Sequence, residues 1–203
     1  MAELTLILLS QEAYRERMLR WEVLSQAYGY TTAFARRHRR HDIPDVFDHI
    51  HAQSRKAGSS NFLFVDHYAI ERCFPSLKQH YPLFLHSSQW FQFLKHYLPP
   101  ACAIDADVFA LIQASSARFQ DEARSAAVLL KLLYRFAQLE GLPVRQNWLL
   151  PHREAEALRR ILHQPLAAIS TDQASRLAPI ATHLHQWILQ HSDHAAISFS
   201  SNL

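Results

Sequence analysis

A run of guanidinium side chains is the most distinctive chemical feature of this sequence. Four arginines lie within five positions: Arg36, Arg37, Arg39 and Arg40. A guanidinium group is permanently charged and can bind two phosphate oxygens at once. If the run is extended, Arg36 and Arg40 point to one side and the other two arginines to the opposite side. The run therefore predicts contact with a polyanion, and the alternative interpretation is a solvated basic loop that only favours solubility.

Other basic residues in the first third are weaker candidates for the same contact. Arg15, Arg17 and Arg20 surround a predicted turn. Arg55 and Lys56 lie in the polar stretch from Ser54 to Asn61, whose composition is typical of a hairpin loop. Because Arg20 alternates with apolar neighbours, it is expected on a solvated strand face.

Aromatic rings in the same region offer a second kind of chemistry. An exposed ring can stack on an unpaired base and contribute ~1–3 kcal/mol per base. Trp21, Tyr28, Tyr30 and Phe34 are available. Most are expected to pack in a core or turn, and Tyr28 and Tyr30 are the best candidates for exposure because they flank Gly29.

Composition argues against the common catalytic sites. The chain has three glycines and no GxxxxGK[ST], GxGxxG or GxSxG motif, which removes the usual phosphate-binding loops and nucleophile elbows. Its two cysteines, Cys73 and Cys102, form no CxxC pair. His183 and His185 are two positions apart, so they do not share a helix face. The sequence predicts a protein without catalytic residues, metal or cofactor, and a metal-dependent enzyme that uses its 14 histidines is an alternative.

The elements that must position these residues change along the chain from strands to helices. Leu19 to Val23 alternates between apolar and charged residues, which is typical of a half-buried strand. Further strands are expected at Leu4 to Leu9, Thr31 to Ala35, an ambiguous Val46 to Ala52, and the alternating Phe62, Phe64, Tyr68 and Ile70. Five short strands within about 70 residues favour a small closed barrel such as the OB-fold.

Helical periodicity begins after Phe74 and Pro75. Helices are expected from Trp90 to Leu98, from Asp105 or Asp107, from Asp121 to Glu140, from Arg153 to His163 and from Gln173 to Gln190. Gly141 is a natural terminator of the third, and Pro179 either kinks the last or marks its first turn. The expected fold class is α+β, with an OB-fold-like barrel over residues 1–73, a helical domain over 74–203 and a frayed tail from about 192.

Charge and hydropathy set the remaining expectations. The formal net charge is +3 and the isoelectric point is near 9.0, which permits a polyanionic partner without requiring one. No apolar run approaches the ~20 residues that cross a bilayer, and the first residues lack a basic secretory region. A cytoplasmic protein is therefore expected.

In their order along the chain, several short motifs resemble the RecO family of DNA repair and recombination mediators. The segment from Leu6 to Glu16 resembles the family's opening, in which an apolar strand leads through a Tyr-x-Glu turn to a second strand. Phe74-Pro75-Ser76-Leu77 resembles the Phe-Pro-x-Leu junction between barrel and helices. The segment from Leu139 to Pro143 resembles the Leu-x-Gly-Tyr-x-Pro helix end, and Arg176 to His191 the closing amphipathic helix.

The resemblance implies a mediator that binds single- and double-stranded DNA, anneals complementary strands and helps to load RecA on DNA coated by single-strand-binding protein (SSB). The expected partners are DNA, RecR, the acidic tail of SSB and, indirectly, RecA, and the expected location is the nucleoid. The arginine run and the weaker basic candidates would contact DNA. By the same resemblance Lys131 and Arg135 would pair with carboxylates of the SSB tail, and Trp90 and Phe91 would line its apolar side; the alternative for the two cations is a solvated edge of a core helix.

The chain also departs from the family. Many members carry a four-cysteine zinc module after the glycine-terminated helix, whereas residues 146–165 contain no cysteine, so a short, zinc-free variant is expected. The basic strand end of the family usually contains a glycine, which is absent from residues 35–41 here. A protein-interaction adaptor with weak or no DNA binding is the alternative function.

Overall fold

A closed five-stranded barrel precedes a set of helices in the computed structural model, which describes residues 2–36, 43–56 and 62–192. The predicted α+β class and OB-like barrel are confirmed. The strands are β1 (Ala2–Arg15), β2 (Met18–Ser25), β3 (Gly29–Arg36), β4 (His49–Lys56) and β5 (Phe62–Arg72). Their order around the barrel is β1-β2-β3-β5-β4, closing on β1. All pairs are antiparallel except β3 with β5.

Alternation of side chains decides what the barrel encloses. Leu19, Trp21 and Val23 of β2 are buried, and Arg20 and Glu22 between them are half-exposed, as the sequence predicts. The remaining core members come from the other four strands: Leu6, Leu8, Ala33, Ala35, Ile50, Ala52, Leu63, Val65 and Tyr68. Apolar burial on the inner face therefore sets the register of the strands.

A bulge changes which residues of β5 face inward. Leu63 and Val65 are buried, but the next buried residue is Tyr68, three positions later. The pairing of β4 with β5 shifts at Gln53 and Ser54, next to this step. Simple alternation would place Phe62 and Tyr68 on the same face of β5. Because of the bulge, Phe62 is exposed and Tyr68 is buried.

The turn at Gly29 requires glycine. Its φ is +58°, and an added Cβ would lie 2.3 Å from the carbonyl oxygen of Cys102. Beside this turn, Ala101 donates its backbone N–H to Tyr30, and Ile104 donates to Gln26. The barrel is thus packed against a segment that follows much later in the sequence.

Two compact units result from these contacts. The first is Met1–Pro75 with Leu98–Gln113, and the second is Ser76–Tyr97 with Ala114–Leu203. The sequence predicts a barrel domain over residues 1–73 and a helical domain over residues 74–203. In the structure, Leu98–Gln113 belongs to the same compact unit as the barrel.

The helices follow the predicted periodicity with adjusted bounds. They are α1 (Ser76–Gln79), α2 (Tyr81–Tyr97), α3 (Ala106–Ser115), α4 (Ser125–Leu139), α5 (Ala155–His163), α6 (Thr171–Ser175) and α7 (Ala178–His191). Short 3-10 turns occur at Ser116–Arg118, Glu122–Arg124 and Leu166–Ala168, and a π-helical turn occurs at Arg145–Leu149. The segment predicted as one helix from Gln173 to Gln190 is divided, and Pro179 lies in the first turn of α7.

Local capping explains two of these helix ends. The Asp105 carboxylate accepts the backbone N–H of Asp107 at 2.8 Å, which places it at the start of α3. At the end of α4, Gly141 has a φ of +72° and donates to Gln138, while Leu142 donates to Ala137. These two bonds form a Schellman motif, so the terminator role predicted for Gly141 is confirmed.

Aromatic side chains dominate the core of the second unit. Trp90, Phe93 and Phe136 are fully buried, and the rings of Phe93 and Phe136 meet edge to face with centroids 5.1 Å apart. Within residues 2–36, 43–56 and 62–192, no helix combines the length and apolarity needed to span a membrane.

Candidate nucleic-acid interface

A row of outward-facing residues crosses all five strands of the barrel. Arg20 of β2 pairs with Glu12 on one side and with Phe34 of β3 on the other. Phe34 pairs with Phe64 of β5, which in turn pairs with Arg55 of β4. Their sequence neighbours Leu19, Trp21, Ala33, Ala35, Leu63 and Val65 are buried inside the barrel. The row therefore lies on the outer surface and combines rings with cations.

Four aromatic rings come together on this surface, and we call them the outer aromatic cluster: Tyr14, Phe34, Phe62 and Phe64. The Phe34 ring is central, with its centroid 4.9 Å from Tyr14, 5.7 Å from Phe62 and 5.8 Å from Phe64. Tyr14 is 49% exposed and Phe62 is 46% exposed. Exposed rings in mutual contact form an apolar surface that can stack on planar groups.

Cations border the outer aromatic cluster. The guanidinium of Arg15 lies 5.2 Å from the Tyr14 ring centroid, and that of Arg55 lies 5.1 Å from the Phe64 centroid. Both distances fit cation–π contacts, which hold each charge beside the ring face. Lys56 lies on the opposite face of β4, where it pairs in register with buried Leu63, and its ammonium is 5.9 Å from the ring of Tyr28, outside the outer aromatic cluster. Exposed rings and positive charges are the two features that proteins combine to bind single-stranded nucleic acids, and both are present on this surface.

Carboxylates compete for two of these arginines. Arg20 donates to Glu12 at 2.7 Å, and Arg55 lies 3.3 Å from Asp66. These side chains are largely exposed apart from Asp66, which is 34% exposed, so each pair contributes only about 0–1 kcal/mol. A phosphate can therefore displace either carboxylate at modest cost.

The predicted basic run begins at the same surface. Arg36 is the last residue of β3, is exposed and pairs with Met18, whose other neighbour in register is Arg15. Arg36 makes no ion pair with any described residue. Arg17 is exposed in the turn between β1 and β2. The other predicted arginines of the run, Arg37, Arg39 and Arg40, lie outside the described residues.

The aromatic candidates named from sequence have different positions. Trp21 is fully buried, Tyr28 and Tyr30 are half-buried, and Phe34 is half-buried at the centre of the outer aromatic cluster. Sequence reasoning did not single out Tyr14, Phe62 or Phe64 as ring platforms. The available signal was the segment Phe62-Leu63-Phe64-Val65, which is apolar at every position although only one strand face lies in the core.

Of the residues predicted to bind an SSB tail, the two aromatic ones are buried. Trp90 is fully buried and Phe91 is 3% exposed, because both rings pack into the helical core. The Lys131 ammonium donates to the carbonyl oxygens of Leu162 and Gln164 at 2.9 and 2.7 Å, at the end of α5. Arg135 is exposed. Their assignment to a peptide site stays a prediction, with Arg135 the most accessible member.

His49 of β4 is a buried ionisable residue of the barrel. Burial and the positive charge of Arg72 lower the pKa of His49 to about 4, partly opposed by Glu71. Its Nε2 atom is buried and has no hydrogen-bond partner among the described residues. Three or more His, Cys, Asp or Glu side chains that could hold a metal ion do not come together anywhere in the described ranges.

Comparison with known proteins adds no family assignment. No protein-family model matches the chain, and no curated protein sequence is similar to it.

Proposed function

We propose that this protein binds DNA through the outer aromatic cluster and its neighbouring cations, and acts as a RecO-type mediator of DNA repair and recombination. Unpaired bases stack on Tyr14, Phe34 and Phe62, while phosphates contact the surrounding arginines. Duplex DNA uses the arginines alone, because its bases are already stacked. The mediator anneals complementary strands and assists RecA loading on SSB-coated DNA without being an enzyme.

One observation carries the DNA-binding proposal. Two of the four contacting rings, Tyr14 and Phe62, are nearly half exposed on the outside of the barrel. Packing in the barrel core therefore does not account for the presence of aromatic residues at these positions. Guanidinium groups lie over the rings, and Arg36 leads into three further arginines. OB-fold barrels bind oligonucleotides on the corresponding kind of surface, which includes strands 2 and 3 and the loops beside them.

The mediator role rests on the order of short sequence motifs. It assigns RecR as a protein partner and the SSB tail as a ligand of the helical unit, where Arg135 supplies an exposed cation. The same role places the protein at the nucleoid of the cytoplasm.

A protein-interaction adaptor is the second candidate. The pairing of Arg20 with Glu12 and of Arg55 with Asp66 favours it, since it partly neutralises the barrel surface. In that case the outer aromatic cluster would bind a protein, and affinity for DNA would be low.

Binding of a labelled oligothymidylate tests the DNA-binding proposal. Phe62→Ala and Tyr14→Ala remove exposed rings, so neither opens a cavity in the core. Removal of one base stack of ~1–3 kcal/mol should weaken binding by about 5- to 150-fold. Affinity for a duplex of the same length should change much less.

Tyr81→Ala is the matched control, because Tyr81 is 73% exposed in the helical unit. Equal affinity of Phe62→Ala, Tyr14→Ala and the wild-type protein would exclude the outer aromatic cluster as the site. No binding by the wild-type protein at low salt would favour the adaptor. A strand-annealing assay with SSB-coated strands then tests the mediator role separately.

A further inference from the structure

A small cavity in the helical unit is lined by residues to which no role was assigned above. It has a volume of about 220 Å³ and is bordered by the last turns of α4, the π-helical turn Arg145–Leu149 and helix α5. Tyr134 and Gln138 line it from α4, and Arg159 and His163 line it from α5. All lining residues belong to the second compact unit.

The walls of the cavity are mainly apolar. Leu149 is buried, whereas Leu150 at the rim is 60% exposed. The π-helical turn brings these residues to the cavity, since Leu150 donates its backbone N–H to Arg145 five residues earlier, at 3.0 Å. Single π-helical turns are rare in proteins. Those that occur are often found at functional sites, because they interrupt regular helix geometry.

Two arginines, Arg145 and Arg159, and one carboxylate, Glu156, line the cavity. Arg145 is exposed and has no ion pair with any described residue. Burial raises the pKa of Tyr134, and the nearby positive charge of Arg145 acts in the opposite direction. Arg159 lies 3.9 Å from Glu156, but both side chains are more than half exposed, so the pair is weak.

We propose that this cavity binds a small amphipathic carboxylate, in which an apolar body fills the space against Leu149 and Leu150 and the carboxylate pairs with Arg145. Pockets for drug-sized ligands usually measure roughly 300–1,000 Å³, so this cavity suits a body the size of one or two side chains and excludes a nucleotide. A carboxylate fits because guanidinium groups bind it in bidentate fashion. The ligand is either a free organic acid or the carboxyl terminus of a protein. The proposal does not depend on DNA binding.

Titration of the full chain, observed by ¹H–¹⁵N spectra, tests the site. The free-acid probe is 3-phenylpropionate, and its neutral control is 3-phenylpropionamide. The protein-terminus probe is an N-acetylated Ala-Ala-Phe tripeptide with a free carboxylate, compared with its carboxamide. We expect shifts of the backbone amides of residues 145–150 with both acids and about tenfold weaker binding of both neutral controls.

Arg145→Gln should weaken binding of the acids by about tenfold and leave the neutral compounds unaffected. Arg153→Gln is the matched control, since Arg153 is exposed nearby but does not line the cavity. Tighter binding of the tripeptide than of 3-phenylpropionate supports a protein terminus as the ligand, and equal or weaker binding supports a free acid. The proposal is overturned if millimolar acid leaves these amides unshifted, if acid and amide bind equally, or if Arg145→Gln binds like the wild-type protein.

Discussion

At the scale of single residues, the exposed rings of Phe62 and Tyr14 gain less stability from burial than rings in the core do. Burying a large apolar side chain contributes about 1.5–3 kcal/mol, and Phe62 and Tyr14 forgo much of that gain. Their contact with Phe34 recovers a part through ring packing. The neighbouring carboxylates Glu12 and Asp66 pair with Arg20 and Arg55.

Asp66→Asn should strengthen DNA binding. The change frees Arg55 from its carboxylate partner, so oligothymidylate affinity should rise by about two- to fivefold, consistent with a surface pair of less than about 1 kcal/mol. The slope of log affinity against log salt should steepen by up to about 0.7 if one more phosphate is contacted. Glu71→Gln, an exposed charge of the same strand, is the control. A weaker or unchanged affinity in Asp66→Asn would show that Arg55 is not a phosphate contact.

His49 should make the protein less stable in mild acid. Its folded pKa of about 4 lies below the ordinary 6.5, so the unfolded chain takes up a proton first as the pH falls. The free energy of unfolding contributed by His49 is therefore present above pH 6.5 and decreases from there down to about pH 4. Urea denaturation at pH 7 and pH 5 measures this effect. Between these two pH values, the free energy of unfolding should decrease less for His49→Phe than for the wild-type protein.

The control for this experiment is His51→Phe, because the side chain of His51 is half exposed on the same strand. His86 and His185 also have pKa values lowered by burial, so some acid sensitivity should persist in His49→Phe. Equal acid sensitivity of His49→Phe and wild type would contradict the assignment.

At the scale of elements, turns are determined by backbone geometry. Gly29 and Gly141 both have positive φ, but they differ in surroundings. An added methyl group at Gly29 meets a backbone carbonyl, whereas at Gly141 it meets nothing within 4 Å. Gly29 is therefore required by both its backbone conformation and its packing, whereas Gly141 is required by its backbone conformation alone.

Gly29→Ala should therefore cost more stability than Gly141→Ala. A left-handed alanine costs about 1–2 kcal/mol, which we expect for Gly141→Ala. Gly29→Ala should exceed this value, because the segment carrying Cys102 must move away from the turn. Chemical denaturation followed by circular dichroism measures both. Similar losses in the two variants would mean that the contact beside Gly29 relaxes without cost.

At the scale of the whole molecule, electrostatics depends on where charges collect. The formal net charge is only +3, yet four arginines fall within positions 36–40 and further cations border the outer aromatic cluster. Local charge density, and not net charge, determines counterion release from DNA.

Replacing Arg36, Arg37, Arg39 and Arg40 by alanine should weaken binding to all DNA sequences without changing sequence preference, since phosphate contacts carry no base information. The salt slope should fall by roughly 0.7 on single strands for every phosphate that the variant no longer neutralises. A control with four exposed arginines of the helical unit replaced has the same net charge: Arg118, Arg153, Arg160 and Arg176. Equal effects of both sets would attribute binding to net charge and exclude the run as a site.

The sequence alone determined the features that depend on near neighbours. Alternation in β2 predicted the burial of Trp21 and the outward position of Arg20, and the caps at Asp105 and Gly141 involve residues at most five positions apart. The succession of strands and helices, and hence the fold class, follows from such local patterns.

Only the tertiary structure decided which distant residues meet. Tyr14, Phe34 and Phe62 are about 20 to 30 positions apart along the chain, and they touch because strand register and barrel closure align them. The bulge beside Gln53 and Ser54 changes the facing of β5, and the packing of Leu98–Gln113 with the barrel arises from contacts to a remote turn. Register is set by the total apolar burial of all strands, so no single segment encodes it.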